Sequence, residues 1–62
     1  MNLAIHVEVD HATLRVIIRS ELARGDMRYR QTLSVPQLHA SHPASLADLI
    51  SQEVYMLLKS TS

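Results

Sequence analysis

Cysteine, phenylalanine and tryptophan are all missing from this chain, and glycine and lysine each occur once. Without cysteine there is no disulfide, no thiolate nucleophile and no thiolate metal ligand, a composition that fits a reducing compartment. Without phenylalanine or tryptophan the core has to be aliphatic. A single glycine leaves no Gly-rich phosphate loop and no Gly-flanked serine elbow, and no His-Glu-x-x-His occurs either. The expectation is a chain with no catalytic residues, no enzyme activity and no cofactor. The four histidines, His6, His11, His39 and His42, have no cysteines to complete a structural zinc set, so no metal is expected. No apolar run reaches the roughly 18 residues of a membrane span. The first residues also lack the basic head and apolar stretch of a signal peptide. Together these predict a soluble, cytoplasmic protein that does not engage a membrane.

What is present is a short aliphatic chain of 62 residues, 47% hydrophobic and formally neutral. A domain this small buries only about 60% of the surface its unfolded chain exposes, so self-association is the expected support for its core. Its charges are unevenly placed. Glu8 and Asp10 precede a segment, 12–30, that holds all five arginines against Glu21 and Asp26, and Asp48, Glu53 and Lys59 follow. The middle of the chain is a basic island on a neutral protein.

Hydrophobic periodicity predicts three strands. The central one is 12–23, where Leu14, Val16, Ile18 and Leu22 alternate with Thr13, Arg15, Arg19 and Glu21. Residues 2–9 also alternate, with Leu3, Ile5, Val7 and Val9 on one face. A two-residue turn at Asp10-His11 sets Val9 opposite Ala12, Val7 opposite Leu14, Ile5 opposite Val16 and Leu3 opposite Ile18. Gly25-Asp26 suits a type II′ turn, which needs glycine at its first central position. That turn places Leu22 across from Tyr29, Ile18 from Leu33, Val16 from Val35 and Glu21 from Arg30. Pro36 ends the third strand because it has no N–H for the ladder.

Residues 37–44 read as a connector with Leu38 as its anchor into the core. Ser45 begins a Ser-x-x-acidic helix start, and Ser41 followed by Pro43 is the alternative cap. Leu46, Leu49, Ile50, Val54, Leu57 and Leu58 then recur at helical spacing. Met56 and Leu58 fall at the margins of this apolar arc and Tyr55 points away from it. Glu53 falls within the arc. A slight rotation of the helix lets it reach water at a rim; otherwise it needs an arginine or histidine partner. Residues 60–62 are expected to fray. The fold class is α+β: one β-β-β-α domain over 1–62, a three-stranded antiparallel meander with one C-terminal helix packed on one face.

That pattern gathers Arg15, Arg19, Arg28 and Arg30 on the sheet face away from the helix, with Ile17 and His6 among them. Arginine carries a rigid fork of donors that grips carboxylate or phosphate at two points, and it is enriched in interfaces. The expected role is a protein-interaction module that docks through Arg15, Ile17, Arg19, Arg28, Arg30 and His6 on an acidic protein surface and regulates or inhibits its owner. Small inhibitors of host machinery from bacteriophages and mobile elements are often of this size. Nucleic acid is the second candidate ligand for the same face, and a purely structural assembly subunit the third. The order of elements resembles, in topology alone, three-stranded-sheet-plus-helix DNA-binding domains such as the plant AP2 type and the arm-binding domain of tyrosine integrases. The resemblance implies a sheet laid into the major groove. The first strand lies at an edge without the Lys, Pro or bulge that usually blunts one. A homodimer is therefore expected, joined through Ala4, Ile5, His6, Val7 and Glu8, with the helix as a competing surface, since its apolar arc, bounded by Met56 and Leu58, is wider than one sheet face needs.

Overall fold

A computed structural model describes residues 1–61 of the chain. Strands β1 (Asn2–Asp10), β2 (Arg15–Arg24) and β3 (Met27–Pro36) are followed by a 3-10 turn, Gln37–Ala40, and by helix α1 (Pro43–Ser60). The strands form one antiparallel sheet in the order β1-β2-β3, so the expected meander with its single C-terminal helix is the observed architecture.

The second hairpin follows its turn chemistry. Gly25 takes φ 59° while Asp26 keeps a negative φ, the combination a type II′ turn requires. Leu22 pairs with Tyr29, Ile18 with Leu33 and Val16 with Val35, as the turn dictates.

The first hairpin differs. Its loop has four residues, His11 to Leu14, because Asp10 organises it. The Asp10 Oδ1 accepts from the N–H groups of Ala12 at 3.0 Å and Thr13 at 3.4 Å, a side chain taking the place of a backbone turn acceptor. The Thr13 side-chain hydroxyl first, and then these two N–H groups, hold the Asp10 carboxyl below the usual carboxylate range against the opposing effect of desolvation. Val9 therefore faces Val16, Val7 faces Ile18, Ile5 faces Ser20 and Leu3 faces Leu22, four positions along β2 from the two-residue-turn register. An even displacement preserves the faces of a strand, whereas an odd one would invert them. Ala12, Thr13 and Leu14, expected within the strand, lie in the loop.

Leu14 carries the strain of this loop: its φ is 55° and it is 64% exposed, so no burial compensates the left-handed backbone. Leu14→Gly should raise stability by up to about 1 kcal/mol, and Leu14→Val should lower it because β-branching fits this region worst. Urea midpoints of the two variants, moving in opposite directions, check the assignment.

The connector is tied through its backbone. Gln37 N–H donates to the Leu14 carbonyl at 2.8 Å, and Ser41 Oγ donates to the Leu38 carbonyl at 3.1 Å. Leu38 is no anchor: it is 82% exposed, since a 3-10 turn held at its start needs no side chain in the core. Neither serine caps α1. His42 is the N-cap, its Nδ1 accepting from Ala44 N–H at 3.2 Å, with Pro43 at the first helical position. At the other end Ser60 is helical, and Thr61 N–H and Oγ1 both donate to the Leu58 carbonyl. Arg24 Nη1 reaches the Thr61 carbonyl at 3.5 Å, a cation at the negative end of the helix. Of the residues expected to fray, Ser60 and Thr61 are thus tied down, and Ser62 lies outside the described residues.

Val16, Ile18, Leu22 and Leu57 are the buried hydrophobic residues, three of them from the central strand. Helix α1 packs over β2 and β3. The consequence for β1 is direct: Leu3, Ile5, Val7 and Val9 stand on the helix side of the sheet yet remain between 36 and 46% exposed. Glu53 is not at a rim. It is 2% exposed, facing the sheet from the middle of α1, and its Oε2 accepts from Gln31 Nε2 on β3. Neither an arginine nor a histidine is its partner, and among the described residues Oε1 has none.

Candidate functional site: the arginine face

The register fixes what stands on the face opposite the helix. Across the three strands the rows read Asn2-Ala23-Arg28, Ala4-Glu21-Arg30, His6-Arg19-Thr32, Glu8-Ile17-Ser34 and Asp10-Arg15-Pro36. Arg15, Arg19, Arg28 and Arg30 therefore do share one side of the sheet, with His6 directly beside Arg19 and Ile17 one row further on. Ile17 is half-buried.

Each guanidinium has a partner within the face. Glu21 takes two of them, Oε1 accepting from Arg28 Nη1 at 3.1 Å and Oε2 from Arg30 Nε at 2.9 Å. The Arg30 guanidinium, helped by that of Arg28, holds the Glu21 carboxyl below the usual carboxylate range against the opposing effect of desolvation. Arg19 Nη1 pairs with Glu8 across the diagonal from β2 to β1. Arg15 straddles Ser34, donating from Nε to Oγ at 2.7 Å and from Nη2 to the carbonyl at 2.9 Å. Exposed ion pairs of this kind add little to stability. Their effect is on geometry: each contact engages only part of a guanidinium's five donors, while the Arg19, Arg28 and Arg30 side chains stay 51, 64 and 74% exposed. A shallow, open depression crosses the middle of the face, walled by Ala4, His6, Arg19, Glu21, Arg30 and Thr32.

The Glu21–Arg30 pairing follows from the Gly25 turn. The Glu8–Arg19 pair does not, because under a two-residue first turn Glu8 lies opposite Thr13. The Asp10 side chain, a turn former in its own right, is the signal that lengthens the loop and brings Glu8 next to Arg19. The residues expected at a dimer contact, Ala4, Ile5, His6, Val7 and Glu8, all lie on β1 at the sheet edge.

Among the described residues no three His, Asp or Glu side chains converge where a metal ion would be held, and no helix is long and apolar enough to cross a membrane. Comparison with protein families, with curated proteins and with solved structures finds no match to this chain.

Proposed function

We propose that this chain is a non-catalytic interaction module that docks its arginine face on an acidic surface of a partner protein and thereby regulates or inhibits that partner, in the manner of small bacteriophage or mobile-element inhibitors working in the cytoplasm. It does so as a homodimer joined at β1. The observation that carries the reading is the pairing within the face: four guanidinium groups held in place by Glu8, Glu21 and Ser34, with donors left over for carboxylates of a second molecule. The same carboxylates favour a protein over nucleic acid. Glu21 on the central strand and Glu8 beside Arg19 stand among the arginines, where a phosphate backbone would press against them, and the chain as a whole has no net charge to draw a polyanion in. A protein surface can present carboxylates to the arginines and donors to the two glutamates in the same contact.

The test begins with a pull-down and identification of the captured protein, followed by titration of that purified partner. Arg19→Ala/Arg30→Ala is expected to weaken binding by roughly a hundredfold, about 2.7 kcal/mol, since central arginines dominate such contacts. Both side chains are exposed, so the fold should survive, which circular dichroism verifies. Unchanged affinity would remove the arginine face from the contact. Retardation of duplex DNA or RNA that falls steeply with salt and disappears in the double variant would transfer the face to nucleic acid.

A further inference from the structure

We infer that two copies join β1 to β1 antiparallel, in the one register that overlaps the whole strand, with His6 on the two-fold axis. This rests on the homodimer proposed above and gives it a specific geometry. Three observations converge on it. First, β1 pairs with β2 at nine successive positions without a bulge, so its other side offers a straight, unbroken row of N–H and C=O groups along roughly 30 Å. Second, the helix covers β2 and β3, which leaves the apolar row Leu3, Ile5, Val7 and Val9 open on the helix side of β1. Third, the strand is complementary to itself.

The complementarity is a matter of counting. Like faces meet only when both opposed residues are odd or both even, and all nine positions find a partner only when Asn2 lies opposite Asp10 of the second copy. In that register Leu3 meets Val9 and Ile5 meets Val7 on the helix side. On the arginine side Ala4 meets Glu8, Asn2 meets Asp10, and His6 meets itself. The two acids of β1, Glu8 and Asp10, both lie toward its C-terminal end, so the antiparallel arrangement sets each against an uncharged residue. Parallel self-pairing would line the acids up with their own copies, which is destabilising. Sliding by two residues either way leaves one apolar residue of each row, Val9 or Leu3, without a cross-strand partner.

The product is a continuous six-stranded sheet. An antiparallel join places its two-fold axis normal to the sheet, so both helices lie on one side and both arginine faces merge on the other. The docking surface then presents eight guanidinium groups in two-fold arrangement, and β1 ceases to be an edge.

Because the chain has no cysteine, single-cysteine variants report this geometry cleanly. His6→Cys puts two thiols about 5 Å apart between α-carbons. Ala4→Cys alone, or Glu8→Cys alone, puts them on the order of 14 Å apart, four residues of strand. Mild oxidation should therefore link His6→Cys into a covalent dimer at least about tenfold more completely than either of the others. An equimolar mixture of Ala4→Cys and Glu8→Cys should link as well as His6→Cys, since those positions are opposed. Sedimentation of the unmodified chain supplies the independent readout and is expected to give twice the chain mass. A monomer at every concentration overturns the dimer and the register together. A dimer whose thiols link best at Ala4 or Glu8 alone, or at none of these positions, overturns the register and leaves the homodimer standing.

Discussion

Ile18→Ala should cost the domain about 3–4 kcal/mol and leave much of the population unfolded at 37 °C. Ile18 is fully buried at the centre of the middle strand, with Val7 on one side and Leu33 on the other and α1 packed over the strand. Truncating a buried isoleucine loses the transfer free energy of three carbons and leaves a cavity, a cost of about 2–5 kcal/mol. A neighbourhood held on two sides by ladder partners collapses poorly, which favours the upper part of that range. A core of this size stabilises a domain by only about 3–5 kcal/mol, so the loss is comparable with the whole. Far-UV circular dichroism in urea measures it. A midpoint shift equivalent to less than about 1 kcal/mol would mean that Ile18 is not the centre of the core. Ile5→Ala is the contrasting case. Ile5 is at the open edge of the same face, so the monomer loses little, and any larger loss should depend on protein concentration because it reports the dimer.

Glu53→Met should stabilise the protein by about 1–3 kcal/mol at pH 7 to 8, and the gain should shrink as pH falls. Burial pushes the Glu53 carboxyl up from its ordinary value, and one uncharged partner, the amide of Gln31, does not offset the loss of water. The sign follows from linkage. The folded state holds this proton more tightly than the unfolded state, so below the ordinary carboxylate range both forms are protonated and no ionisation penalty remains. As pH rises through the ordinary value the unfolded chain ionises first, and stability declines until the raised folded value is passed. Asp10 and Glu21 act in the other direction, their lowered values favouring the folded state above the ordinary range and losing that support in acid. Both are half-buried side chains at the surface, in reach of water, so their share is small. Methionine fills a similar volume without a charge, and the half-buried Gln31 can turn its amide to water. Urea titrations of both proteins from pH 4 to pH 8 decide the matter. A stability difference that stays constant across the range would show that ionisation of Glu53 is not what the fold resists.

How much of this was legible in the chain depends on the length scale of the cause. The faces of the strands were readable because alternation has a period of two, and Arg15, Arg19, Arg28 and Arg30 keep that parity whatever the loop length, provided the displacement is even. The second hairpin was readable because Gly25 is the one residue there that takes positive φ without penalty. The first loop misled because its organiser is a side chain: Asp10 accepts from two backbone N–H groups, and the familiar glycine marker is missing. His42 displaced the two serines as cap because Pro43 sets where the helix begins, and a ring nitrogen at that place serves as well as a hydroxyl.

Local chemistry, then, by itself determined the strands, their wet and dry sides, the Gly25 turn and the gathering of arginines away from the helix. Docking of the helix decided the rest. Its seat over β2 and β3 left the aliphatic row of β1 uncovered, drew Glu53 into the interior against Gln31, and left Leu38 outside. Those outcomes depend on where one rigid element comes to rest on another, a position set by the summed packing of many side chains and written in no short stretch of the chain.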